Sequence, residues 1–482
     1  MAEMVQKRST IVTLLLAGSF IAILNQTLMI TAIPPIMNEM DVSPNSAQWL
    51  TTIFMLVNGI MIPVTAFLIE RFTTRQLFLT AMSVFAFGTL VAGLAPNFVF
   101  LLTGRVIQSM GAGVMLPLMQ TVFLMIFPVN KRGSVMGLVG LVISFAPAIG
   151  PSLSGWVTEA FGWRTLFFII LPIAIIDIII AYFVMKNVTK VSKPRVDPLS
   201  IILSSFGFGG LLYGFTSAGN NGWLATPTVI AFIIGSISLT MFILRQIRLK
   251  HPMLEFRVFT YSIFPLTVSI GMIAFLGIIG VETLIPLYMQ EARDFSAFES
   301  GLVLLPGALI TGLMSPLTGR IFDKVGGRWL VIIGLSFMTV GSFLFTILDD
   351  KTSLPYLIVV FALRMFGVAM VMMPVATSGL NKLPKHLIAH GAAMDNTMRM
   401  VAASVGTAVL VTVMTTAETA SKQSGDPFPA IYGANMAFLV LSIITLVGFI
   451  LSLFIKNTRP ADIAEEDAEE IEEVQESHEQ SF

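Results

Sequence analysis

The chain has 482 residues, 55% of them hydrophobic and 12% charged, with no cysteine and a formal net charge of zero. Roughly 25% charge is usual for a soluble protein, so this composition excludes a soluble enzyme or a nucleic-acid binder and indicates a polytopic membrane protein; the lack of cysteine excludes disulfides, thiolate chemistry and zinc–thiolate sites. The zero net charge hides a basic body, 28 Lys and Arg against 18 acids, and an acidic tail, 462–482, with ten acids and no Lys or Arg.

Lys7 and Arg8 look like the start of a signal peptide, but the apolar run behind them is about 23 residues long and has no small-residue cleavage site, so it reads as an uncleaved first span. A crossing needs roughly 20 apolar residues, and fourteen runs qualify: 11–34, 46–69, 76–95, 98–119, 133–158, 164–185, 198–217, 226–247, 262–288, 297–321, 328–348, 354–374, 395–417 and 433–455. The expected fold is all-α. Lys and Arg are retained in the cytoplasm; an N-terminus inside leaves 21 of them on the inner side and four outside, Arg164, Arg293, Lys351 and Lys422. Both termini are therefore expected to be cytoplasmic, and the like-charged tail to be solvated and disordered.

Span one contains AILNQTLMITAIPPI (22–36), with the amides Asn25 and Gln26 in an apolar run and Pro34-Pro35 as its expected outer end. Asn25 falls nine residues from that end, close to the depth of Arg105 in span four, which lies eight residues in, or about 12 Å at 1.5 Å rise per residue. A guanidinium at that depth costs about 2.5–3.5 kcal/mol and should face a cavity with hydrogen-bond partners. Asn25 is expected to face it as a neutral acceptor; interhelical bonding that only holds the bundle, worth about 0.6–2 kcal/mol, fits Gln26 equally well. Three carboxylates fall in spans: Asp177 in span six, Glu282 in span nine and Asp395 at the start of span thirteen. Asp395 and Arg399, one turn apart, read as a local ion pair. The four histidines (His251, His386, His390, His478) fall in or beside polar connections, and no HExxH, GxSxG or Walker A motif occurs. An intramembrane enzyme thus has no support.

PVTAFLIERFTTR (63–75) aligns without gaps on PLTGRIFDKVGGR (316–328), pairing Glu70 with Asp323, Arg71 with Lys324 and Arg75 with Arg328 at an offset of 253. A looser match pairs the stretch after Arg105 with that after Arg364, each a small-residue and Met-rich run ending in Pro. Two related six-span bundles, 1–195 and 258–458, flank two inserted spans, 196–257, ahead of the tail, 459–482. Parallel repeats about an axis normal to the membrane are a transporter plan, with the substrate site between the halves.

Up to residue 458 the chain resembles the fourteen-span drug:proton antiporters of the major facilitator superfamily. AFLIERFTTRQ is similar to that family's G-x-L-a-D-R-x-G-R-R loop motif, with Ala66 and Thr73 in place of its glycines and Glu70 for its aspartate; GRIFDKVGGR keeps glycine and aspartate. Glu70 and Asp323, each at a helix end beside a basic turn (Arg71 and Arg75, Lys324 and Arg328), are expected to form ion-pair latches between helices that break and re-form as the two halves rock, although positive-inside anchoring explains Arg75 and Arg328 equally. LLTGRVIQSMGAG resembles the R-x-x-q-G-x-G signature through Arg105, Gln108, Gly111 and Gly113. Span five, GLVGLVISFAPAIGPSLSGW, resembles the antiporter signature g-x-x-x-G-P-x-x-G-G through Gly140, Pro147, Gly150, Pro151 and Gly155, which implies a hinge-like helix at a close interface.

Many family members carry an aspartate where this chain has Asn25, so the titrating group is sought in the other half. Aligning Pro286 with Pro34 places Glu282 about one turn above the counterpart of Asn25. Glu282 is the leading expectation for proton coupling and cation binding, with Asp177 second and Arg364, Arg105, Gln108, Asn25 and Gln26 as polar cavity residues. The resemblance implies a proton-driven exporter of varied amphipathic compounds in a bacterial plasma membrane, acting as a monomer without cofactor, metal or nucleic acid. A carrier of one metabolite or anion is the other reading. Abundant Phe and Met, 38 and 29, suit a pliable apolar lining, although facing lipid explains most of them.

Overall fold

The computed structural model describes residues 2–188, 191–192 and 196–455; the tail expected to be disordered lies outside them. Among the described residues, fourteen helices are long and apolar enough to cross a membrane. They are α1 (Ala2–Met40), α2 (Pro44–Arg71), α3 (Thr74–Gly93), α4 (Phe98–Ile126), α5 (Val129–Phe161), α6 (Arg164–Val184), α7 (Pro198–Asn221), α8 (Thr226–Arg248), α9 (Ile263–Leu287), α10 (Ala297–Val325), α11 (Arg328–Leu344), α12 (Leu354–Asn381), α13 (Ile388–Gln423) and α14 (Pro429–Ser452). Helices satisfy every backbone group within one segment, as a bilayer requires. α1 to α6 pack on one another, as do α9 to α14, and α7 packs on α8. The two sets meet chiefly along α5–α10 and α2–α13, and α7 lies against both helices of the second seam. α6 and α8 turn Ile173, Ile176, Ile180, Ile233, Ile237 and Leu244 outward, as lipid-facing surfaces do.

The 253-residue offset reappears in the backbone, for α2 begins at Pro44 and α10 at Ala297. It also explains the missing glycine. Gly326 ends α10 at φ +84°, the left-handed region, which a side chain would strain. Its counterpart Thr73 sits at φ −66° and caps α3, its hydroxyl accepting from Gln76 N–H while the Gln76 side chain accepts in return. One copy of the turn therefore needs glycine and the other uses a capping box.

Two helix ends differ from expectation. Pro34 and Pro35 lie inside α1, which runs on to Met40. Proline removes a backbone donor but keeps a helical φ, so it can bend a helix without ending it. The extension is pinned at its far end: Glu39 accepts from Trp163 Nε1 at 2.7 Å and from Arg164, and Arg164 lies 4.2 Å over the Trp163 ring. The Arg164 and Trp163 hydrogen bonds hold the Glu39 carboxyl below its ordinary range. α13 begins at Ile388 rather than 395, which places His390 inside a helix and buries it to 3% exposure. The polar residues His390, Asp395 and Asn396 hid these turns, because protein rather than lipid covers them.

Candidate functional site

A cavity of about 420 Å³ lies between the halves, walled by residues of α1, α2, α4, α5, α9, α10, α12 and α13. Most of the lining is apolar, and Met115, Met365, Met372, Met373 and Met400 are part of it; unbranched thioethers repack readily around different shapes. The polar lining includes Gln26, Asn58, Ser144, Glu282, Asn396 and Arg399. Glu282 is the one carboxylate among these residues. No ion pair to it occurs among the described residues, although the buried Arg364 acts on it through space.

The other residues singled out in the sequence are placed differently. Asp177 is buried with Oδ2 unpartnered, but it faces α1 at Gly18, where a Cβ would come 3.1 Å from Oδ2, and does not line the cavity. Asn25 is buried with Nδ2 unpartnered, also outside the lining, and the expected bond to Arg105 is absent among the described residues. Arg105 is fully buried away from the cavity: Nε donates to Leu50 O at 3.2 Å, Nη1 to Gln108 Oε1 at 2.7 Å, the guanidinium lies 4.2 Å from the Phe54 ring centroid, and Nη2 has no hydrogen-bond partner among the described residues. Gln108 passes the link on to Thr89 at 2.8 Å. This cluster ties α4 to α2 and α3. Arg364 does the same in the second half, donating to Ser342 Oγ at 3.1 Å and Gly277 O at 2.6 Å. Both arginines, expected at the cavity wall, are structural ties within their bundles.

Removing Arg105 would leave a void and strand Gln108, so Arg105→Ala is expected to cost about 2–4 kcal/mol. Thermal unfolding in detergent checks this; an unchanged midpoint would contradict the assignment.

α5 is one continuous helix with Pro147 and Pro151 inside it. Both prolines and Gly140 line the cavity. A Cβ on Gly140 would come 2.9 Å from Ser315 Oγ and Met373 Cγ, and one on Gly150 2.8 Å from Thr27 Cβ, so these glycines do permit close approach. Gly155 does not: among the described residues nothing lies within 4 Å of its Cβ position. It is removed from the interface expected for it.

The acids of the repeated loop bind across the two halves. Asp323 accepts from Gly133 N–H at 2.7 Å, Ser134 N–H at 2.8 Å and the Ser134 hydroxyl. Glu70 Oε1 is 3.0 Å from His390 Nε2. Arg132 Nη1 donates to Asn381 Oδ1 at 2.9 Å, and one level deeper Asn396 Nδ2 donates to Gln120 Oε1 at 2.6 Å. Arg75 instead stays in its own half, with its guanidinium on the Tyr182 carbonyl and 5.0 Å over the Tyr182 ring. Arg328 lies 5.9 Å over Trp329 with Nε unpartnered, and Lys324 borders a shallow surface hollow beside Asp323. Both loop acids thus take part in hydrogen bonds that join the halves at the basic face.

His390 Nδ1 accepts from Glu255 N–H at 3.3 Å, so the ring proton resides on Nε2, which donates to Glu70. His390→Leu removes both bonds, whereas His390→Gln offers one acceptor and one donor in their place. The native chain lacks cysteine, so a single Ser144→Cys probe in the cavity can be labelled with an impermeant thiol reagent from the basic face. Labelling is expected to rise several-fold with His390→Leu and to stay near the parent rate with His390→Gln.

Asn58, Asn396 and Arg399 were not anticipated at the cavity. Their signal was present, as polar residues within apolar runs. For Arg399 the late expected start of span thirteen placed it at a membrane edge.

Residues 15–407 match the family model described as Major Facilitator Superfamily. The chain is 57% identical over 456 residues to an uncharacterized MFS-type transporter, YcnB, of Bacillus subtilis, covering 94% of this chain and 97% of the relative. It is 42% identical over 456 residues to the lincomycin resistance protein LmrB of Listeria innocua, covering 93% and 97%. Among solved structures, the human organic anion transporter MFSD10 superposes with a TM-score of 0.68 at 14% identity, over 92% of this chain and 99% of that one; at that identity the likeness concerns the fold.

Proposed function

The chain belongs to the Major Facilitator Superfamily, and on that premise we propose that it is a proton-coupled exporter of structurally diverse amphipathic compounds, working by alternating access. The observation that carries this reading is the cavity, apolar, Met-rich and shared by both halves, with Glu282 as its one carboxylate. Its volume is in the range of small-molecule sites, about 300–1,000 Å³. The lincomycin resistance named for a 42% identical relative supports including lincomycin among the test compounds.

On this reading the basic face is cytoplasmic, both termini lie there, and the membrane is a bacterial plasma membrane. The bonds of Asp323, Glu70, Arg132 and Asn396 hold the carrier closed to the cytoplasm while the cavity communicates with the outside. A proton arriving on Glu282 neutralises it and weakens its hold on a cationic group, so the substrate leaves outward. Rocking of the halves then exchanges the bonds at the basic face for an inward opening, the proton departs to the more alkaline cytoplasm, and the next substrate binds. Each unit of pH difference contributes about 1.4 kcal/mol per proton, a tenfold accumulation.

A carrier of one metabolite or anion is the second reading, favoured by Arg399 in the cavity lining. Proteoliposomes with an imposed pH gradient separate the two when given lincomycin, a cationic dye and an anionic metabolite. Uptake of the first two supports the proposal; uptake of the anion alone supports the second reading, and uptake of none under a working gradient contradicts export of drugs.

A further inference from the structure

The cavity has a basic pole as well as an acidic one. Arg399 lines it from α13, buried to 3% exposure. A guanidinium carries five donors, and few of these have a strong acceptor. Nη2 lies 3.0 Å from Asp395 Oδ2 and 3.5 Å from Met372 O. Among the described residues Nη1 meets only the Met372 thioether at 3.8 Å, a weak acceptor, and Nε has no hydrogen-bond partner. Asp395 does not line the cavity, so Arg399 stands between its counter-ion and the cavity space. The group packs flat on α9, where a Cβ at Gly271 would come 3.2 Å from Nη2; this close approach lets the charge stay beside the cavity without a side chain in front of it. Arg105 and Arg364, also buried in the spans, each keep one nitrogen unpartnered among the described residues, but their other nitrogens hold oxygen acceptors within their own bundles and neither residue lines the cavity.

We infer that Arg399 is a substrate-recognition residue whose spare donors receive a carboxylate or a strong neutral acceptor, so that with Glu282 the cavity selects amphiphiles carrying both a cationic and an anionic or acceptor group. This rests on the amphiphile reading above and narrows it. Asp395 competes with the substrate for the same guanidinium: it keeps the empty cavity electrically balanced, and a substrate carboxylate shares or displaces it. No bond is made or broken beyond hydrogen bonds and ion pairs.

The test uses two fluorescent probes that differ at one group, an ethyl-ester rhodamine, which is a cation, and its free acid, a zwitterion, titrated against the purified full-length protein in detergent. The native protein is expected to bind the free acid about tenfold more tightly than the ester, the effect of one charge-assisted pair. Arg399→Gln is expected to abolish that preference. Asp395→Asn, which keeps the guanidinium and removes its competitor, is expected to raise the preference several-fold, and it remains informative if Arg399→Gln unfolds. Equal affinity of the native protein for the two probes, or a preference unchanged in Asp395→Asn, overturns the inference and leaves the amphiphile reading standing. Binding of neither probe overturns the amphiphile reading itself, and this inference with it.

Discussion

Glu282→Gln is expected to abolish pH-driven accumulation of every substrate, while downhill exchange across preloaded proteoliposomes persists. The amide matches the carboxyl in size and can hydrogen-bond, so the cavity keeps its shape and loses only the ability to change charge. A carboxylate shut in an apolar wall without a direct counter-ion pays heavily for its charge, which makes it suited to take up and release a proton as the surroundings open to either side. Measured initial uptake under an imposed gradient should fall by about two orders of magnitude or more. Full pH-driven uptake by the variant would move coupling to another group. Asp177, unpartnered against α1 in the same transporter, is then the residue to test, and Asp177→Asn is expected to have the smaller effect because it does not reach the cavity.

Asp323→Ala is expected to impair transport as severely by a different route. Asp323 collects three hydrogen bonds from Gly133 and Ser134, and each such bond to a charged acceptor contributes about 1.5–3 kcal/mol. Deleting all three on one side of a two-state carrier shifts the population toward the state open at the basic face, where substrates are taken up but not released outward. The α5–α10 seam is tight at this level, since a Cβ on Gly137 would come 2.9 Å from Pro316 Cα, so no neighbouring side chain can substitute. Distances between spin labels on cysteines introduced at the ends of α5 and α10 should lengthen at the basic face in Asp323→Ala, with turnover reduced at least tenfold. An unchanged distance distribution would show that the seam is held by packing alone.

Much of the fold was legible in the sequence because lipid imposes a composition that few other environments do. The fourteen spans follow from runs of apolar residues, and the paired loops around Glu70 and Asp323 follow from the repeat itself. The misplaced ends have specific causes. Pro34 and Pro35 read as a terminus because proline usually marks one, yet the Glu39 clamp on Trp163 and Arg164 carries the helix past them. The first turns of α13 read as a connection because His390 and Asp395 are polar, yet both are sheltered by protein.

The site was less legible, because depth in a membrane can be counted along a chain and the direction a side chain faces cannot. Arg105 and Asn25 were expected at similar depth, and both are buried in the protein. Arg105 turns toward α2 and α3, and Asn25 turns away from the cavity that its neighbour Gln26 lines. Residues adjacent in a helix point about 100° apart, so a pair such as Asn25-Gln26 leaves the choice open until the packing is known. Glu282 was reached through the repeat, which fixes its level relative to α1. Arg399 was assigned correctly to a pair with Asp395, and its second role, at the cavity wall, depended on α9 presenting Gly271 beneath it.

The coupling of substrate to proton at Glu282 can be read without a membrane. Lincomycin, or the cationic rhodamine ester, added to the purified protein in weakly buffered detergent near neutral pH should displace a proton from the occupied cavity, and a pH-sensitive dye should register its release in proportion to the protein present. Release by the native chain and none by Glu282→Gln is the expected result; substrate binding without any proton release, or equal release by the variant, would contradict proton-coupled export through this cavity.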